Sequence, residues 1–192
     1  MSRLNAQNLE MANAIIKRYP RARSALIPLL HLAQEQDGWV TPEAMEHVAE
    51  LLDITPAEVL GTCSFYEMFK REPVGKYLVN VCTTVPCLML GGPELLEHLE
   101  SKLGVRAGAT TDDGTFTLNE VECVAACTQA PCLLVNYRVF GPLTDADASQ
   151  LVDDLNAGRL ANQVPAHGTT TKVRQDTSVM RPATPLPKKA RA

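Results

Sequence analysis

No run of apolar residues in this 192-residue chain approaches the roughly 18 that a membrane-spanning helix requires. The N-terminal stretch MSRLNAQNLEM also lacks the apolar segment of a secretory signal. Both absences point to an intracellular protein with no direct membrane insertion. An excess of positive charge is missing too. The formal net charge is −4, and much of the basic charge lies late: from His167 onward Lys172, Arg174, Arg181, Lys188, Lys189 and Arg191 face Asp176 alone. The remaining body is acidic, which disfavours nucleic acid, since that partner needs a basic footprint. The G-x-G-x-x-G turn of a dinucleotide fold is absent: Gly91-Gly92 lacks the spacing, so no dinucleotide site is expected on this chain. Lastly, six cysteines include no C-x-x-C pair, which counts against a stand-alone thiol oxidoreductase.

The chain does have a hydrophobic fraction of 45%, enough for a buried core. Its first part reads as helices. Residues 8–19 carry Leu9, Ala12, Ile15 and Ile16 on one face before Pro20. Residues 24–36 follow, with Pro28 in the first turn and Asp37-Gly38 as the stop. Thr41-Pro42 and Thr55-Pro56 each offer an N-cap threonine and a proline at the first helical position. Glu58 adds a capping box to the second of these. That fourth helix carries Val59, Leu60, Cys63, Phe65, Tyr66 and Phe69. Four short amphipathic helices predict a small bundle over 1–72.

The period changes at 76–82, KYLVNVC, which alternates like a strand. A helix is expected over 94–103, a strand over 115–121, and a strand pair over 133–136 and 139–140. A last helix runs from the Thr144 cap to about Leu155. The order β, α, β, then the strand pair and a last helix predicts a small α/β layer over 73–160, and an α+β fold for the whole. Residues 161–192 contain no aromatics and four prolines and read as a disordered basic tail. His31, His47, His98 and His167 are expected at the surface.

In a reducing compartment six cysteines are poor candidates for structural disulfides, so metal or redox chemistry leads. Cys82 ends a predicted strand and Cys87 lies in the loop after it; Cys123 and Cys127 follow another strand. Two such loops can converge on one point. A tetrahedral zinc ion and a binuclear iron–sulfur cluster both take four thiolates, and a redox dithiol takes two. Zinc ribbons favour C-x-x-C knuckles, whereas gaps of four and three residues among small side chains such as Ala125 and Ala126 suit the larger cluster. A zinc-stabilised interaction module stays open as a rival. Cys132 repeats the four-residue gap after Cys127, so it competes with Cys123 as a ligand. Cys63, mid-helix on an apolar face, reads as a small buried hydrophobe.

These residues carry a resemblance. C-x4-C at Cys82 and Cys87, then FTL at 116–118, VEC-x3-C at 121–127, and SFYEMF at 64–69 before them are similar to one group. It is the thioredoxin-like [2Fe–2S] ferredoxin subunits of respiratory complex I, the E-chain family of bacterial NADH–quinone oxidoreductases. The likeness runs over about 8–155. It implies a helical bundle followed by a thioredoxin-like domain with one [2Fe–2S] cluster on Cys82, Cys87, Cys123 and Cys127, leaving Cys132 aside. It also implies electron exchange with the flavin of a neighbouring NADH-oxidising subunit, contact with other peripheral-arm subunits, and a place on the cytoplasmic side of the inner membrane. The small subunits of NAD-linked hydrogenases and NAD-dependent formate dehydrogenases share the module. One departure matters: family members often have glycine within the second cysteine pair, where this chain has Val124, Ala125 and Ala126.

Overall fold

The computed structural model of the chain describes residues 3–169; of the expected tail, 170–192 lie outside the described residues. Four helices come first: α1 (Ala6–Ile16), α2 (Leu26–Asp37), α3 (Pro42–Leu52) and α4 (Pro56–Phe65). Their ends follow local chemistry. The Asn5 side chain accepts from the Asn8 N–H at 2.8 Å and starts α1 two residues earlier than the apolar stripe suggests. Thr41 accepts from the Ala44 N–H at 3.1 Å. Thr55 and Glu58 form the expected reciprocal capping box. Leu29, Leu30, Ala33, Val48 and Val59 close the bundle core, and Cys63 is buried among them as expected.

Two helix ends differ from the sequence reading. The first helix stops at Ile16 rather than Tyr19, and tighter turns carry the chain through Arg18 and Tyr19 to Pro20, which disfavours helical backbone at the residue before it. The fourth stops at Phe65, and Tyr66 is extended at φ −97° and ψ 110°. The chain then folds back, so that Phe69 is buried with its ring 4.9 Å from His31, while Phe65 is left 77% exposed.

The second part holds β1 (Tyr77–Cys82), α5 (Val85–Met89), α6 (Gly92–Leu103), β2 (Phe116–Val121), β3 (Leu133–Val135), β4 (Arg138–Phe140) and α7 (Asp145–Asn156). The sheet order is β2-β1-β3-β4, with β1 and β2 parallel and the other pairs antiparallel. Alternation puts Tyr77, Val79, Val81, Phe116, Leu118, Leu133 and Val135 on one face. There they pack with Leu95 and Leu99 of α6 and Leu151, Val152 and Leu155 of α7. The β3–β4 hairpin turns on Asn136 and Tyr137, both at positive φ, the backbone that a two-residue hairpin of this hand requires. Thr144 and Asp147 form a second capping box. The α+β architecture expected from the sequence is therefore present.

The packed body continues past residue 160. Val164 joins the sheet core, the Pro165 carbonyl accepts from Asn136 Nδ2 at 2.8 Å, and the His167 N–H donates to the Lys76 carbonyl at 2.7 Å. Residues 161–169 are thus part of the fold, held by one apolar side chain and a pair of main-chain contacts that composition does not reveal. His167 is buried, with its pKa lowered to about 4 by burial and by Lys70. His47 is buried as well, its Nδ1 accepting from the Leu4 N–H at 3.0 Å. Both depart from the expected surface positions. Among the described residues no helix is long and apolar enough to cross a membrane.

Candidate iron–sulfur site

Strand direction gathers the cysteines. In the parallel β1–β2 ladder Cys82 pairs with Val121, so Cys123 leaves β2 at the same sheet end at which β1 finishes. β3 runs antiparallel to β1, which brings Cys132, just before β3, back to that end. Its carbonyl accepts from the Cys82 N–H at 3.2 Å. Cys87 reaches the site on α5, a single turn with Pro86 near its start. The sequence reading placed Cys87 in a loop; Thr84 followed by proline within the first turn starts a helix instead. Cys63 stays in the bundle core, apart from this cluster.

The four expected ligands form two unlike pairs. Cys82 and Cys87 are each 2% exposed, while Cys123 and Cys127 are exposed. Burial alone raises the Cys82 thiol. Hydrogen bonds from the Thr84 hydroxyl and from the Val124 and Thr84 N–H groups outweigh it and leave the thiol below its ordinary value. The Thr84 Oγ1 lies 3.3 Å from the Cys82 sulfur. Burial pushes Cys87 up, and desolvation followed by the Cys123 sulfur raises Cys127. Cys132 is pushed up to about 12 by burial and by Cys87. Of Cys82, Cys87, Cys127 and Cys132, Cys82 is the one whose hydrogen-bond donors outweigh burial and favour the thiolate.

This arrangement suits a binuclear cluster. The Cys82 and Cys87 thiols interact, as do those of Cys123 and Cys127, and the Cys132 sulfur lies beside that of Cys87. A [2Fe–2S] cluster takes two thiolates at each iron, whereas structural zinc needs its ligands around one centre.

Three further residues shape the site; sequence reasoning assigned Thr84 and Gly92 no role there and took Ala125 as one of the small residues that suit a cluster. Thr84 supplies the contact to Cys82; its place in the run CTT was a signal for a donor near a thiolate. Gly92 opens α6 so close to the Cys82 and Cys87 segments that an added Cβ would lie 2.7 Å from the Cys82 carbonyl oxygen and 3.0 Å from that of Cys87. Ala125 has φ 59°, the left-handed region that favours glycine, and its N–H donates to the Cys123 sulfur at 3.3 Å. The backbone of the second pair therefore keeps a glycine-type turn although the glycine is missing. Ala125→Gly is expected to stabilise the chain by roughly 0.5–1 kcal/mol, strain relief outweighing the extra freedom of the unfolded glycine. Thermal unfolding of the cluster-loaded variant checks this; an unchanged or lower midpoint would show that Ala125 is not strained.

Comparisons with known proteins agree with the geometry. A family profile described as thioredoxin-like [2Fe-2S] ferredoxin matches residues 12–156. The E subunit of the NADH-quinone oxidoreductase of Mycobacterium tuberculosis (strain ATCC 25618 / H37Rv) is 46% identical over 146 residues, covering 76% of this chain and 58% of the relative. The chain thus spans little more than half the length of that relative. The corresponding NADH-quinone oxidoreductase subunit of Rickettsia felis is 41% identical over 151 residues, covering 77% of this chain and 90% of the relative. Among solved structures, an NAD+-reducing [NiFe]-hydrogenase in the H2-reduced state is similar, with a TM-score of 0.65 and 25% identity. That match covers 73% of this chain and 24% of the hydrogenase chain. Fold, donor set and these likenesses converge: the chain belongs to the thioredoxin-like [2Fe–2S] ferredoxin family and is built for a [2Fe–2S] cluster.

Proposed function

We propose that this chain is the electron-transfer subunit of an NADH–quinone oxidoreductase, with Cys82, Cys87, Cys123 and Cys127 as the ligands of its cluster. One observation carries the reading: the cysteine pairs share one sheet end, with one pair buried and the other at the surface. When bound, a cluster held by four thiolates exchanges single electrons at low potential, near about −400 mV in plant-type ferredoxins. The protein supplies the rest. Cys82 and Cys87 anchor the site in the body, where burial disfavours added negative charge. The Thr84 and Val124 donors to the Cys82 sulfur and the Ala125 N–H to the Cys123 sulfur work the other way, stabilising added charge and raising the potential. Cys123 and Cys127 face outward, so a partner's redox centre can approach them.

In this reading the partner is a flavin-containing, NADH-oxidising subunit. Other peripheral-arm subunits hold the chain on the cytoplasmic side of the inner membrane. The hydrogenase likeness supports a second reading, an equivalent small subunit of an NAD-linked hydrogenase. Affinity purification of the tagged chain from its own cells tests both. NADH-dependent quinone reduction that co-elutes with the chain supports the first. Hydrogen-dependent NAD+ reduction in its place selects the second, and a colourless, zinc-loaded chain without either activity would sink both.

A further inference from the structure

Cys132 is at the site but outside the proposed ligand set. Its sulfur lies 3.7 Å from that of Cys87. Both side chains are buried, in an apolar cluster with Val124, Ala126 and Val139. The main chain around Cys132 is closely held. Its carbonyl accepts from the Cys82 N–H, and an added Cβ on Gly141 would come within 2.8 Å of the Cys132 Cβ. A disulfide needs about 2.05 Å between sulfurs, so the pair must close by roughly 1.7 Å. That displacement is on the scale of side-chain rotation, not of strand movement.

We propose that Cys87 and Cys132 form a reversible disulfide in the cluster-free chain, and that this bond withholds Cys87 from cluster assembly. The oxidant is a low-molecular-weight disulfide. The Cys87 thiolate attacks one of its sulfurs, forming a mixed disulfide and releasing one small thiol. The Cys132 sulfur then attacks the Cys87 sulfur, the mixed bond breaks, and a second small thiol leaves. The two cysteines lose two electrons, the small disulfide gains them, and the two protons end on the released thiols. Burial of both sulfurs makes the exchange slow and keeps the closed bond away from bulky reductants. Loss of cluster under oxidising conditions then leaves a capped site, which small reducing thiols reopen.

Formation of the bond does not depend on the ligand assignment; its consequence for assembly rests on Cys87 being a ligand. The test uses the full-length chain, freed of iron and sulfide by a chelator under reducing conditions, desalted and incubated with oxidised glutathione. Alkylation and peptide mass mapping are expected to show two thiols lost from the six, with the link between Cys87 and Cys132. The same sample is expected to take up little iron and sulfide until dithiothreitol is added. Cys132→Ser and Cys132→Ala should each take up cluster equally well with and without prior oxidation; a serine-specific packing defect would separate the two variants. A link at Cys82–Cys87 or Cys123–Cys127, six thiols all still reactive, or Cys132 variants blocked as fully as the parent chain would overturn the proposal. If reduced Cys132 variants fail to take up cluster while the parent still shows the mapped link, the ligand set fails and the disulfide stands.

Discussion

Serine at Cys82, Cys87, Cys123 or Cys127 abolishes the binuclear cluster, while serine at Cys132 leaves it in place: this is the largest effect expected of any substitution in the chain. The reason lies in the ligand atom. A thiolate binds iron because it is soft and readily deprotonated, whereas a serine hydroxyl must give up a far less acidic proton. Even changes one shell out from a metal typically cost about 10–100-fold in affinity, so loss of a ligand exceeds that range. The effect is expected to be most complete at Cys82 and Cys87, which are shut off from water; there no solvent molecule can take the vacant place. Iron and sulfide per chain, with the EPR signal after dithionite reduction, measure the outcome. Retention of cluster by Cys123→Ser or Cys127→Ser together with its loss in Cys132→Ser would move the ligand set to include Cys132, the choice that spacing left open.

That ambiguity shows where the sequence is legible and where it is not. Helix starts were readable because each cap is local. Thr41, Thr55 and Thr144 bond to groups three residues on, a distance that any reader of the sequence can see. The end of the fourth helix was harder. Phe65, Tyr66 and Phe69 continue an apolar stripe, but their fates are decided by a fold-back that buries Phe69 on His31 and leaves Phe65 outside. The packing of 161–169 was hidden for a similar reason. One valine in the sheet core and main-chain contacts to Asn136 and Lys76 hold it, and neither leaves a periodic pattern. At the site the cysteines themselves were visible. Their convergence depends on a parallel β1–β2 pair with β3 returning antiparallel, and only that long-range topology brings Cys82, Cys123 and Cys132 to one end. The close approach at Gly92 was invisible because a glycine at the start of a helix has ordinary local reasons to be there.

Gly92→Ala is the second large effect, and its neighbour provides the control. At Gly92 the new Cβ would meet main-chain atoms of two separate segments, the Cys82 carbonyl oxygen at 2.7 Å and the Cys87 carbonyl oxygen and carbon at 3.0 and 3.1 Å. Neither segment can rotate out of the way as a side chain would. Cys82 is held at the end of the central strand by the Cys132 carbonyl, and the Cys87 carbonyl accepts from the Leu90 N–H at 3.1 Å. Relief therefore requires α6 to lift from the sheet or α5 to move away from β1. The first movement disturbs Leu95 and Leu99 in the core; the second separates the two buried thiols. Overpacking of this kind costs about 1–3 kcal/mol, and here the strain falls on the segments that carry the two buried thiols. Gly91→Ala differs in kind. Its φ of 98° is strained for alanine, but the nearest atom to the new Cβ is the flexible Glu94 carboxylate oxygen at 3.9 Å. That variant is expected to lose stability by about 1–2 kcal/mol while keeping its full iron content. Gly92→Ala is expected to lose both. Denaturant unfolding and iron analysis of the two proteins side by side decide the matter. Full cluster occupancy in Gly92→Ala would show that α5 and α6 can part without disturbing the buried thiols, and that the tight contact at the helix start serves packing alone.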